Sequence, residues 1–151
     1  MPKVRLTKEF KFEMAHALAG FPGPCRFIHG HSYELYVTVS GEPITDIRSP
    51  YFGMVMDFGQ LKEIVRNKII AEFDHSLVLH ESAAPQKINE IGELAGKLIL
   101  VDYQPSSENL LLDFAGRLRN VLPENVNLFS LKLRETVTSY AEWFAADNPV
   151  G

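Results

Sequence analysis

The chain has 151 residues, 46% hydrophobic and 23% charged, which is enough for the core of one ordinary globular domain spanning residues 1–151. A formal net charge of -4 and a pI near 5.7 give no electrostatic basis for nucleic-acid binding. A single cysteine excludes an internal disulfide and points to a reducing, cytoplasmic setting, no N-terminal stretch reads as a secretory signal, and no apolar run approaches the ~18 residues of a membrane span.

From Val4 to His16 the even positions read Val, Leu, Lys, Phe, Phe, Met, His, and the odd ones are mostly charged or small, which predicts a half-buried strand with His16 on its apolar face. A Gly/Pro-bounded loop, Gly20 to Pro24, leads to Cys25-Arg26-Phe27-Ile28-His29-Gly30-His31. From His29 to Val39 the odd positions are His, His, Tyr, Leu, Val and Val, so a second strand carries His29 and His31 on its apolar parity. If the two strands pair, three imidazoles converge at one end of a sheet. One histidine on an apolar face is usually a hydrogen-bonded core residue. Three together predict a metal site, with zinc first, because three neutral imidazoles and an open fourth position suit a catalytic zinc. Cys25 could fill that fourth position and close the site as a structural module, or it could act beside the metal without binding it.

Gly41 to Pro50 is a predicted loop, and Tyr51 to Met56 a possible short strand. Asp57 with Gln60 three residues on has the pattern of a capping box, followed by Leu61, Ile64, Val65, Ile69 and Phe73 at helical spacing. Asp74-His75 comes next. Here the Asp either turns the chain or orients the imidazole as a general acid/base. A long irregular segment then runs through Pro85 and Gly92 to a short apolar run, Leu98 to Val101, and His80 within it fits no pattern and reads as a surface residue. Pro105, Ser106 and Ser107 open a second helix with Leu110, Leu111, Phe114, Leu118 and Val121 as its apolar stripe, ended by Pro123. Two strands finish the chain. In the first of them Asn127, Phe129, Leu131, Leu133 and Glu135 share a parity, which puts a carboxylate where an apolar residue is expected. Glu135 is either a solvated strand end or an acceptor for a ligand carrying adjacent N–H donors. A cysteine hydrolase built on Cys25, His75 and Asp74 leaves the clustered histidines without a role.

Met14-Ala15-His16, Cys25 separated by three residues from His29-Gly30-His31, Gly53-Met54-Val55-Met56-Asp57-Phe58, Phe73-Asp74-His75, Ser106-Ser107-Glu108-Asn109 and Arg134-Glu135-Thr136 occur in one order across nearly the whole chain. In this the chain resembles the 6-pyruvoyl-tetrahydropterin synthase family, and the three-residue spacing after Cys25 is most like its bacterial 6-carboxy-tetrahydropterin synthase branch. The segment from His80 to Gln104 is longer than in compact bacterial members. The resemblance implies an α+β tunnelling fold: a four-stranded antiparallel sheet with two helices on one face, closed into a barrel by trimerisation and paired into a hexamer. It implies Zn2+ on His16, His29 and His31, a pterin triphosphate as small-molecule substrate, and Cys25, Asp74, His75 and Glu135 as catalytic groups. Glu135 would also hold the pterin edge, with Ser106, Ser107 or Glu108 close by. The implied reaction is lyase chemistry on 7,8-dihydroneopterin triphosphate, giving 6-carboxytetrahydropterin or, in the alternative branch, 6-pyruvoyltetrahydropterin. A non-catalytic zinc module is the alternative of another class.

Overall fold

The computed structural model describes residues 1–150. Strands β1 (Val4–His16) and β2 (His29–Gly41) form a long antiparallel pair in continuous register, from Val4 opposite Gly41 to His16 opposite His29. The alternation read from the sequence sets that register, because a one-residue slip would turn every apolar side chain of a strand toward water. On the outer edge of β2 lie β5 (Val126–Thr136) and then β6 (Ser139–Phe144), both antiparallel.

The sheet is larger than the four antiparallel strands expected. Strands β3 (Ser76–His80) and β4 (Leu98–Val101) add on the other side of β1, both in parallel, giving six strands in the order β4-β3-β1-β2-β5-β6. Without them β1 would present a bare edge of unpaired N–H and C=O groups. Ser76 to Leu79 are all buried, as expected of a parallel strand covered on both faces.

One face carries the main core. Helix α1 (Phe58–Val65) continues through a π turn (Arg66–Ile70) into α2 (Ala71–Phe73). Helix α4 (Ser107–Leu118) lies beside it. Leu61, Val65, Ile69 and Phe73 are fully buried at a spacing of four residues. An α-helix of ~3.6 residues per turn would rotate such a series steadily off its face, and the wider π turn takes up that drift. Phe12 stacks on Tyr33 with ring centroids 5.1 Å apart, and Phe114 meets both Phe12 and Phe73 edge-on at 6.2 and 5.2 Å. The two expected helices are therefore present, but a third, α3 (Ile88–Ala95), falls in the segment expected to be irregular. Val78 faces the main core. Its neighbours Leu77 and Leu79 join a second cluster with Ala17, packed by Ile91 and Ala95 of α3.

Four local expectations are corrected. Tyr51 to Met56 is turn rather than strand, organised by Gly53 at φ +84 and by hydrogen bonds between Ile44 and the Gly53–Met54 backbone. Asp57 precedes α1 in an extended conformation, and its carbonyl accepts from Leu61 N–H, but its side chain makes no cap bond, so there is no capping box. Val121 lies beyond the end of α4 and is exposed. In β5 the shared parity of Asn127 and Phe129 with Leu131 fails, because a β-bulge steps the pairing from Thr38–Ser130 to Val39–Leu128. Val126 and Leu128 point inward instead, and Phe129 lies under the Arg5 guanidinium at 3.8 Å.

A side chain at Gly41, where β2 ends, would meet the Asn125 carbonyl oxygen at 2.6 Å and Val55 Cγ1 at 2.8 Å, whereas one at Gly116 in α4 meets nothing within 4 Å. Gly41→Ala should therefore lower stability by about 1–3 kcal/mol through overpacking. Gly116→Ala should raise it by about 0.5–1 kcal/mol through helix propensity. Urea unfolding of the two variants checks both signs.

Candidate metal and proton-transfer site

The pairing of β1 with β2 puts His16 opposite His29 and Met14 opposite His31, so the three rings share the core face at one end of the sheet. Their centroids are 4.6 Å (His16–His29), 5.2 Å (His16–His31) and 4.9 Å (His29–His31) apart. Glu135 approaches from β5, at a second bulge where the pairing with β6 shifts between Arg134 and Thr136. Its Oε1 lies 3.3 Å from His16 Nε2 and 3.1 Å from His31 Nε2. One ligand atom from each of His16, His29, His31 and Glu135 falls within 4.8 Å of all the others, so the group could hold a metal ion.

The hydrogen bonds fix which ring nitrogens face that centre. His16 Nδ1 is 2.6 Å from the Pro105 carbonyl and His29 Nδ1 is 2.7 Å from the Phe27 carbonyl. A carbonyl only accepts, so both Nδ1 atoms carry the proton and both Nε2 atoms present lone pairs. Those two Nε2 atoms are 3.1 Å apart. His31 Nε2 is buried without a well-formed hydrogen bond, although it lies close to Glu135. Burial pushes the His31 pKa down, with His16 and His29 adding to the effect and Glu135 opposing it, which keeps the ring in the neutral form a metal requires. Until a cation binds, a proton shared onto the His16 ring and the neighbouring His31 hold the Glu135 carboxyl below the usual range despite its burial, and a bound cation would take that proton's place. Converging lone pairs beside an anion repel one another, and a cation between them removes the repulsion. Backbone carbonyls on the second nitrogen are the outer support that metal-binding imidazoles use.

The remaining predicted residues are placed as follows. Cys25 lies exposed in a 3-10 turn (Pro24–Arg26) and is outside the four-residue group. Its loop is tied back to the end of β1 by Leu18 N–H donating to the Cys25 carbonyl at 2.9 Å. Ser106 caps α4, accepting from Asn109 N–H at 3.2 Å. Ser107 is buried beside Glu135, with its hydroxyl unpaired by geometry, and Glu108 is exposed in the first turn of α4. Asp74 Oδ1 accepts from Glu13 N–H at 2.9 Å and sits 3.0 Å from His75 Nδ1. Burial acts to raise the Asp74 pKa, but the Glu13 N–H and His75 outweigh it and hold the carboxyl below its ordinary range. His75 is 78% exposed at its side chain and has φ +62, the one non-glycine positive φ among the described residues. That conformation costs roughly 1–2 kcal/mol. His80, expected on the surface, is half-buried, and its Nδ1 meets the Ser82 hydroxyl at 2.7 Å.

A cleft of about 720 Å³ is lined by His75, Glu13, Ser32, Ser76, Leu77 and Ile91, and of the four clustered residues only His31 reaches it. Sequence reasoning missed the Pro105 and Phe27 carbonyls, which carry no side-chain signal. It also missed Tyr33, fully buried, 5.5 Å from the His31 ring and with an unpaired hydroxyl. Its place on the apolar parity two residues after His31 was the available clue.

The family model described as 6-pyruvoyl tetrahydropterin synthase matches residues 5–146. A protein of Haemophilus influenzae named 6-carboxy-5,6,7,8-tetrahydropterin synthase is 32% identical over 141 residues, covering 92% of this chain and 97% of the relative. Among solved structures, an uncharacterized protein from Wolinella succinogenes superposes with a TM-score of 0.77 at 22% identity, covering 95% of this chain and 99% of the other. The Plasmodium vivax 6-pyruvoyl tetrahydropterin synthase gives 0.70 at 20% identity, covering 95% and 98%. At these identities the two structures speak to the fold.

Chelator-treated protein should take up about one divalent ion per chain. His16→Ala, His29→Ala and His31→Ala should each weaken its binding by more than about 100-fold, because loss of a direct ligand exceeds the roughly 10- to 100-fold cost of losing a supporting partner. Competition titration against a chromophoric chelator measures this, and wild-type affinity in any variant would remove that residue from the site.

Proposed function

Because the chain belongs to the 6-pyruvoyl tetrahydropterin synthase family, we propose that it is a zinc-dependent lyase that converts 7,8-dihydroneopterin triphosphate and water to 6-carboxy-5,6,7,8-tetrahydropterin, acetaldehyde and triphosphate. In that role it serves 7-deazaguanine (queuosine) synthesis in the cytoplasm, as a single domain over residues 1–151 that assembles into a homohexamer of two trimeric barrels. The observation that carries this reading is the convergence of His16, His29, His31 and Glu135, whose ligand atoms lie within 4.8 Å of one another with the His16 and His29 lone pairs turned inward. The relatives named for the carboxy-forming reaction favour that product over the pyruvoyl one.

Zinc held by His16, His29 and His31 would supply Lewis-acid polarisation of the substrate's side-chain hydroxyls, which acidifies the adjacent C–H. The protein's own groups do the rest. Cys25, as thiolate, takes a proton from the side chain and returns it. Asp74 holds the proton of His75 on Nδ1, leaving Nε2 free to move a second proton. Glu135 uses Oε1 toward the histidines and keeps Oε2 for the ring's amino and N–H edge, since a carboxylate offers about four lone-pair sites. Ser107 stands beside Glu135, and Ser106 and Glu108 complete that side of the ring site. Barrel closure pairs the exposed edges of β4 and β6 and lets Cys25 and the Asp74–His75 pair act from different subunits.

Incubation with dihydroneopterin triphosphate should yield 6-carboxytetrahydropterin and one acetaldehyde per triphosphate by mass spectrometry. Accumulation of the pyruvoyl product would place the chain in the other branch, and no turnover would favour a zinc module. Cys25→Ala should keep its metal and lose roughly 100-fold or more in turnover, as for removal of a general base. With metal in excess, Glu135→Gln should bind a non-reactive pterin about 2–5 kcal/mol more weakly, because an amide N–H then faces a ring N–H. Isothermal titration reads that loss, and equal affinity would move the anchor to Glu108.

A further inference from the structure

Asp74 and His75 occupy a tight corner between α2 and β3, and the left-handed backbone of His75 has to be held there by its surroundings. One side of the corner is held by β1, where His75 N–H donates to the Glu13 carbonyl at 2.6 Å and Glu13 N–H donates to Asp74 Oδ1 at 2.9 Å. The other side is held by two side chains: the buried Ser76 hydroxyl donates to the Phe73 carbonyl at 2.6 Å across the corner, and Lys97 reaches it from outside. Lys97 Nζ donates to the Asp74 carbonyl at 2.7 Å and to the Ala71 carbonyl at 2.9 Å, closing the C-terminal end of α2 where carbonyls lack helical partners.

Lys97 is itself fixed. Gly96, at φ +74, turns the chain out of α3, and the Lys97 carbonyl accepts Leu77 N–H at 2.9 Å just ahead of the Leu77–Leu98 pair that opens the β3–β4 ladder. The Lys97 side chain is exposed, but its backbone is thereby tied to the strand that starts one residue after His75. The Glu13 contacts are backbone groups or reach Asp74 itself, and the Ser76 hydroxyl is buried at the start of β3, so Lys97 is the side chain that can tune the corner from outside the packed strands. The segment between His80 and Gln104, with α3 and β4, delivers it.

We propose that Lys97 is a positioning residue for the Asp74–His75 proton-transfer pair, holding the corner from behind so that Asp74 keeps the His75 proton on Nδ1 and Nε2 faces the cleft. This rests on the reading that His75 moves a proton in turnover. Lysine is suited to the task because its three N–H donors can serve two carbonyls at once while its stem follows the strand.

The test uses the full-length, metal-loaded protein and the variants Lys97→Met, which keeps the stem and removes the donors, and Lys97→Arg, which restores them. Lys97→Met should lower kcat roughly 10- to 100-fold, as for slight misplacement of a reacting group, with KM and metal content unchanged. Lys97→Arg should recover most of the loss. Independently of turnover, long-range 15N NMR of the imidazole, assigned with His75→Gln, should show Nδ1 protonated in wild type and averaged ring-nitrogen shifts in Lys97→Met. Unchanged His75 signals in a folded Lys97→Met protein would overturn the proposal, as would equal losses of kcat in the Met and Arg variants. If wild type fails to turn over the pterin triphosphate, the reading of function fails, and the His75 signals still decide the claim about Lys97.

Discussion

The antiparallel register of β1 and β2 is the constraint on which the site depends. It puts His16 directly opposite His29 and carries His31 on the same face two residues on. Phe10, Phe12, Met14, Tyr33, Leu35 and Val37 are buried on that face, so the site inherits its geometry from the core's demand for burial. Each such side chain contributes about 1.5–3 kcal/mol when fully removed from water. A slip that exposed the histidines would expose the whole row, and the three rings are therefore placed far more firmly than their own contacts could place them.

At the end of this row the polarity reverses. His16 is 1% exposed, and Tyr33 and Ser107 have buried hydroxyls with no partner of good geometry. Burial with the added charge of Glu135 pushes the Tyr33 hydroxyl pKa well up, so it stays protonated. Polar groups left unpaired in a core are expected where a ligand or water completes them. Here they surround the carboxylate and the imidazoles rather than lying scattered through the molecule. The helix layer supports this by another network, in which Arg117 of α4 pairs with Asp113 and Glu72, donates to the Lys68 carbonyl of the π turn and lies over the Phe73 ring.

Much of this was legible in the sequence. Period-two alternation gave β1 and β2 and their shared face, and Leu61, Val65, Ile69 and Phe73 gave the first helix. The odd carboxylate of Glu135 marked the end of β5. The parity argument failed at Phe129, where a bulge inserts a residue that no local pattern announces, since a bulge answers to the partner strand. The parallel strands β3 and β4 were missed for a similar reason: Leu98 to Val101 is too short to show a period, and what makes it a strand is the unpaired edge of β3. The holding of Asp74–His75 was illegible because it uses backbone groups of Glu13 and a lysine more than twenty residues away.

The π turn gives the helical segment before Asp74 one residue more than an α-helix of the same reach would need. Ala71 N–H returns to the Arg66 carbonyl, five residues back, and α-helical bonding resumes with Asp74 N–H on the Ile70 carbonyl. Excision of any single residue in that turn would let the hydrogen-bond ladder close normally, and the helix by itself would be the better for it. Because the bulge already takes up the extra residue, such an excision would leave Phe73 and Asp74 in phase with Leu61 and Val65, whereas adding a residue outside it would swing Asp74 by roughly 100°, one residue's rotation about the axis, away from Glu13. The turn thus records the count of residues between Asp57 and Asp74 rather than their identity. This stretch can accept many replacements and the loss of the one surplus residue, but a further residue is a change the corner cannot absorb.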